Sequence, residues 1–322
     1  MESLEAVDKA AIVNSTGAKY LDFRAALVPR YSTVWFHIFL EYAALGLVVI
    51  ITAYLQKHFP YYFWLVVPVA GFLIGFWVAG ILLFMHEASH FNIAADKRRN
   101  DLLANIFMGL LVGMDIKFYR AIHASHHRFL GTKHDTEKSY FEPISWRFLV
   151  ESITGIRILK VMAHRNKNIE ANEGPAAAPE IIKRNNQMFL ATAFLNLLFV
   201  VALFLVGFWQ VALAWALGLG AAFPFFASFR QILEHRRVDA DKNTDYNQVD
   251  SGASHRMFGD GLIGITMGPA GFNRHLLHHW DPSVSYTRLK DVEDFLMDTP
   301  LKGELEASRT TYFETFVLLF NK

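Results

Sequence analysis

The chain has 322 residues, 53% hydrophobic, 15% aromatic and only 19% charged, with 29 Phe, a mean hydropathy of +0.22 and a net charge of +1. Soluble domains are about 45–50% apolar and about 25% charged, so the composition points to a membrane, and the near-neutral charge gives no electrostatic footprint for nucleic acid. The absence of cysteine excludes a disulfide framework and every Cys-ligated zinc or iron–sulfur site, leaving His, carboxylate or amide for any metal.

Residues 1–33 have no apolar core after a basic start, so a cleaved secretory signal is not expected. Four stretches then reach the roughly 20 apolar residues that cross a hydrocarbon core: 34–55, 63–85, 188–208 and 209–233. His37, Glu41 and Arg230 are the polar exceptions inside them, and Glu41 is expected to face the bundle, as intramembrane charges do. The short turns QKHFPYY and GFWQ make two hairpins of the four spans. Pro224, in AAFPFF, is read as a packing feature of the last span.

The second span runs into HEASH, with His86 and His90 at i and i+4. The next apolar run, 102–114, is too short to cross and reads as re-entrant or interfacial. AIHASHHRFLGTKHD follows, placing His123, His126 and His127 at i, i+3 and i+4, one face of a helix. Residues 163–187 are polar, with Gly, Pro and Ala, and read as a surface connector. The fourth span ends in QILEH, with Gln231 and His235 a turn apart, and HLLHH repeats the i, i+3, i+4 spacing with His275, His278 and His279. The apolar tail 311–320 is too short to cross and reads as an interfacial or packing helix.

A histidine-rich surface helix would account for one such cluster, but not for its recurrence. Neutral imidazole is the commonest side-chain metal ligand, and one ion takes about four to six ligands. The eight box histidines, with His235 as a ninth, therefore suit two ions. Gln231 is placed to hold a metal-bound water, while Glu87, Asp135 and Glu234, beside box histidines, either orient imidazole N–H groups or stand as solvated charges. His37, His58, His134, His164 and His255 are solitary and are assigned to interfaces or the surface. With a cytoplasmic amino terminus, the span count puts all boxes on one side. Lys97, Arg98, Arg99, Lys117, Arg120, Arg128 and Lys133 near the boxes, against Lys57 in the opposite turns, agree that this side is cytoplasmic.

HEASH, HASHH and HLLHH, in this order with membrane hairpins before and between them, resemble the integral-membrane fatty acid desaturase and hydroxylase family, whose signature is HxxxH, HxxHH and HxxHH. The resemblance covers roughly 63–296, including GTKHDTE and DPSVSYTRL. It implies one all-α membrane domain over 1–322: four transmembrane helices in two hairpins, and a cytoplasmic helical cap from 86–187 and 234–322. It further implies two irons held by the box histidines and His235, with zinc as a purification substitute, O2 as co-substrate and a fatty acyl substrate. An Asn often stands one turn before the last-span ligand in the family; Gln231 stands here. An apolar tunnel for the acyl chain is expected between the second and fourth spans. No HPGG segment, GxGxxG or Cys ligand is present, so a separate electron donor of ferredoxin, rubredoxin or cytochrome b5 type is implied, with Arg98, Arg99 and Lys117 as candidate docking charges.

Desaturation is the expected reaction, with hydroxylation and oxidative decarboxylation to a terminal alkene as alternatives on the same scaffold. His275, rather than Gln, at the start of the third box argues against the subgroup with a fused cytochrome. A competing class is a zinc membrane hydrolase, because HEASH also fits HExxH, with Glu87 as base. That reading leaves HASHH and HLLHH unexplained. A metal transporter fits less well, since its ligands belong near the bilayer midplane.

Overall fold

Four helices are long and apolar enough to cross a membrane, covering Tyr31–His58, Pro60–Ser89, Pro179–Leu205 and Trp209–His235. The structure is a computed structural model, and it describes residues 7–137, 140, 142–171, 175–241, 243–244, 249–250 and 252–320. Helices α1 (Tyr20–Ala25), α2 (Tyr31–His58), α3 (Phe63–Ser89), α4 (Lys97–Ala104), α5 (Leu110–Val112) and α6 (Ile116–Phe129) make up the first half. The second comprises α7 (Trp146–Ile153), α8 (Ile156–Ala171), α9 (Pro179–Leu205), α10 (Trp209–Leu217), α11 (Phe223–His235), α12 (Leu262–Met267), α13 (His275–Trp280), α14 (Leu289–Met297), α15 (Lys302–Ala307) and α16 (Tyr312–Leu319). Among the described residues there are isolated β-bridges but no strand.

Only 6% of the most apolar window of α9 is buried, so most of its apolar surface faces away from the protein and needs an apolar solvent. The fourth span is α10 and α11 joined by a π-helical turn, Gly218–Ala222. Pro224 follows at once: it donates no N–H and its ring would press on the carbonyl four residues back, and the widened turn accommodates both. This span lies directly on α3. A Cβ on Gly75 would fall 2.4 Å from the Ala222 Cβ, and one on Gly218 would fall 2.5 Å from Ile74. The middles of the two spans are thus packed together, and beside Gly80 and Phe226 a space of about 10 Å³ remains; nearer the histidines a cavity of about 100 Å³ opens between Leu82 and Leu83 of α3 and Ala227 and Ser228 of α11.

The connector reading of 163–187 is also corrected. Residues up to Ala171 belong to α8 and residues from Pro179 to α9, with 172–174 outside the described residues. Hydropathy marks the part of a helix that meets lipid, not the polar turns beyond it, and Pro179 in the first turn suits a helix start. The run 102–114 lies in a helix, Lys97–Val112, that bends by 85° into α6. Gly113 turns the chain there with φ 78°, and Asp115 caps α6 by accepting from the Lys117 N–H. Outward-facing Trp146 and Ile153 on α7, Leu159 on α8, Leu262 and Ile263 on α12, and Phe313 on α16 give these short helices apolar outer faces, as suits a membrane interface.

Candidate metal centre

The last turn of α3 carries His86 and Glu87, and His90 ends the helix. Arg120 of α6 fastens this end, donating to the Ser89 carbonyl at 2.8 Å and the Ala88 carbonyl at 3.2 Å, carbonyls a helix end leaves unpaired. Buried Asn100 donates to the Ala88 carbonyl as well, at 2.9 Å. His123, His126 and His127 project from α6, and His235 is the last residue of α11. Before α13, Ala270 (φ 54°) and Gly271 (φ 83°) make two successive left-handed residues that set Phe272 and His275 against the other helices. Arg256 donates to the Leu233 and Arg236 carbonyls, tying the end of α11 to the segment that pairs with Leu276.

The structure brings all nine histidines together, in two groups. His86, His90, His123, His127 and His278 each offer a nitrogen within 4.8 Å of the others, and so do His126, His235 and His279. His275 joins the second group, its Nε2 lying 2.9 Å from that of His235 and 3.1 Å from that of His279. The split follows helix geometry. In both α6 and α13 the i, i+4 pair goes to one group and the i+3 histidine, about 100° round the helix from the i+4 one, goes to the other. Thus His123 and His127 face the first group and His126 the second, while His275 and His279 face the second and His278 the first.

The nitrogens fit metal ions. Within the first group the Nε2 atoms of His123 and His90 are 3.1 Å apart, those of His127 and His123 2.9 Å, and those of His127 and His278 3.2 Å. Two nitrogens about 2.1 Å from one ion at right angles would be about 3.0 Å apart. Neither ring nitrogen of buried His86 has a hydrogen-bond partner. Buried polar atoms are seldom left unpaired without a reason, and a coordinated ion is one. Burial, reinforced by neighbouring imidazoles, holds His123, His275, His278 and His279 well below the ordinary histidine value. Burial with Arg120 lowers His90 to about 4. These rings stay neutral, the form that binds a metal. His126 differs: burial lowers it, but the Asp135 carboxylate outweighs that and pushes it up to about 9.

Of the polar residues singled out from sequence, Asp135 contacts an imidazole directly. Its two oxygens each lie 2.9 Å from the His126 Nδ1, and it also accepts from the Tyr140 hydroxyl at 2.6 Å. Such a carboxylate fixes the tautomer and orientation of a ligating ring. Glu87 instead accepts the Tyr286 N–H and the Asn92 amide, both at 3.2 Å, and its other oxygen is 3.7 Å from the His86 Nδ1, too far for a hydrogen bond. Glu234 lies against Arg230, 3.0 Å from its Nε. Gln231 donates to Glu137 at 2.9 Å.

Glu137 was not singled out in the sequence, yet it stands beside His123 and lines a cavity of about 100 Å³ against the cluster. It sits in a loop, where no spacing rule marks it. His255, assigned to the surface, lies with its ring 4.7 Å from His279 and 5.7 Å from His235. His37 meets the Tyr286 hydroxyl at 3.0 Å and His164 meets Asn168 at 3.0 Å; His58 stacks near Tyr54 at the end of α2, and His134 lies near Phe129.

Apolar spans ending in a cluster of nine converging histidines suit an integral-membrane protein whose histidines could hold metal. The profile of the fatty acid desaturase family matches residues 62–314, and the chain belongs to that family. It is thereby an oxidoreductase of the desaturase and hydroxylase type, acting on fatty acyl chains.

Proposed function

We propose that the protein is an O2-dependent enzyme that oxidises an unactivated C–H bond of a fatty acyl chain with a pair of iron ions, and that the product is a desaturated chain. The observation that carries this reading is the division of nine converging imidazoles into two adjacent groups. His86, His90, His123, His127 and His278 would hold one ion and His126, His235, His275 and His279 the other. The ions supply the O2 chemistry, and the protein supplies geometry and exclusion of water. His86, His123, His126, His235, His275 and His278 are each no more than 3% exposed, so most of the ligand set is withdrawn from water. Asp135 holds a proton on the His126 Nδ1 and so presents its Nε2 to the ion.

Desaturation removes two hydrogens from adjacent carbons. With two electrons from a separate donor protein, of ferredoxin, rubredoxin or cytochrome b5 type, and two protons from solvent, O2 leaves as two waters. In this reading the four spans form two hairpins of one domain, and the basic residues flanking the boxes support a cytoplasmic side for the centre and both termini. A zinc hydrolase would need Glu87 as its base, but the Glu87 Oε2 is committed to Tyr286 and Asn92.

The test is expression with a working electron donor and mass spectrometry of total lipids, free fatty acids and headspace volatiles. A loss of two mass units at constant carbon number supports desaturation. A gain of one oxygen makes the protein a hydroxylase, and a terminal alkene one carbon shorter makes it a decarboxylase. Products of hydrolysis without O2 uptake would overturn the redox reading.

A further inference from the structure

One cavity against the histidines is too small for the middle of an acyl chain. It meets His86, His123, His126, His235 and His275, and beside apolar Leu82, Leu83, Met114 and Phe272 its walls carry the charged groups Glu137, Arg165, Arg230 and Glu234. Its volume of about 100 Å³ is below the roughly 150 Å³ that accommodates a benzene ring. That leaves room for a small polar group and one or two carbons, not for the middle of a chain.

The charges lining it are unequally matched. Arg230 lies against Glu234 at 3.0 Å, and Glu137 accepts the Gln231 amide. Arg165 has no carboxylate within ion-pairing distance among the described residues, and its buried Nε has no hydrogen-bond partner. Arg165 is half-buried, and a donor such as its Nε withdrawn from water without an acceptor is costly; the guanidinium's fork of donors matches a carboxylate. Arg165 stands on α8, whose Ile156, Leu159 and Met162 are exposed and apolar, so the cavity lies beside a helix suited to the membrane interface, where an amphiphile presents its polar end.

We propose that the substrate is a free carboxylic acid whose carboxylate is bound by Arg165 in this cavity, so that the oxidised C–H bond lies within the first few carbons of the carboxyl group. This rests on the acyl oxidation proposed above. A thioester or lipid ester offers no charge at this position and would leave Arg165 unpaired.

The experiment is equilibrium binding of dodecanoate and of methyl dodecanoate to the full-length metal-loaded protein, without turnover, for the native chain, Arg165→Gln and Arg165→Lys. The native chain should bind the acid about tenfold or more tighter than the ester; Arg165→Gln should abolish that preference, and Arg165→Lys should keep part of it, with metal content unchanged in both. Equal binding of acid and ester by the native chain, or an undiminished preference in Arg165→Gln, overturns the proposal. With donor present, dodecanoate deuterated at its second and third carbons should lose label. Retention of label with oxidation farther along the chain also overturns it, while leaving acyl oxidation standing. Absence of oxidation of every lipid offered fails the wider reading, and the binding preference is read independently of it.

Discussion

The same two helices meet in opposite ways along their length. In the middle of the spans α3 lies on the π-helical turn of the fourth span through Gly75 and Gly218, so closely that no side chain fits between them. At their ends, α3 and α11 present His86 and His235, whose ring nitrogens include some that find no protein partner. One contact is complete within the protein, and the other awaits a ligand. Burial without satisfaction is tolerable at one end because close packing at the other sets the helices at a fixed separation. If that contrast is right, substitutions in the cap should change metal content with little effect on the fold, and substitutions in the spans should do the reverse.

The largest effect is expected from removing ligands. His278→Ala, His126→Ala and His235→Ala should each reduce turnover to background and bring metal, by elemental analysis, from about two ions per chain to fewer than one. The melting temperature in detergent should stay close to that of the apo protein. Zinc can replace iron during purification, so stoichiometry is the readout rather than identity. One ion per chain in active native enzyme would overturn the two-ion reading, and near-normal activity in His235→Ala would remove that residue from the set.

The converse test is in the spans. Gly75→Val puts a Cβ 2.4 Å from the Ala222 Cβ, and overpacking of this kind costs about 1–3 kcal/mol or more. Thermal unfolding in detergent should shift down by several degrees, on the order of 2–4 °C per kcal/mol, while the fraction that remains folded keeps its metal. Full stability in Gly75→Val would show that α3 and the fourth span are not in close contact.

Asp135→Asn should have a smaller effect. The carboxylate makes two 2.9 Å contacts with the His126 Nδ1, and losing such a partner costs about 10–100-fold in metal affinity or activity. A chelator titration should show one ion lost more easily than the other, because among the described residues no comparable carboxylate contact reaches the first group: the Glu137 Oε1 is 4.0 Å from the His123 Nδ1 and the Glu87 Oε1 is 3.7 Å from the His86 Nδ1. Equal weakening of both groups would mean that the two behave as a single unit.

Much of this was legible because it is periodic. Runs of apolar residues marked the four spans, an i, i+4 pair marked the first box and the i, i+3, i+4 spacing the other two; that spacing on α6 and α13 accounts for the split into two groups. What escaped the sequence was positioned by tertiary contacts. Glu137 reaches the centre because Thr136 donates to the Ile122 carbonyl and the Glu137 N–H donates to Asp135, folding the loop back onto α6. The helical ends of 163–187 carry polar residues that hydropathy assigns to a loop. The close contact of α3 with the fourth span depends on facing glycines that no single-strand pattern pairs.

His255 tests the boundary of the site. It follows Ser254, whose N–H donates to the carbonyl of His235, and precedes Arg256, which caps α11, so the backbone fixes it beside the cluster without help from a helical spacing. Its ring lies 4.7 Å from that of His279, and with Lys9, Arg128 and Trp280 it lines an opening of about 570 Å³ that reaches His127 and His279. Neither group of converging nitrogens includes it. His255→Ala should therefore leave both ions in place and reduce turnover by no more than about threefold, roughly the 0.6 kcal/mol that such a factor represents. Loss of metal in this variant would make His255 a ligand in its own right, and the division into groups of five and four would have to be redrawn.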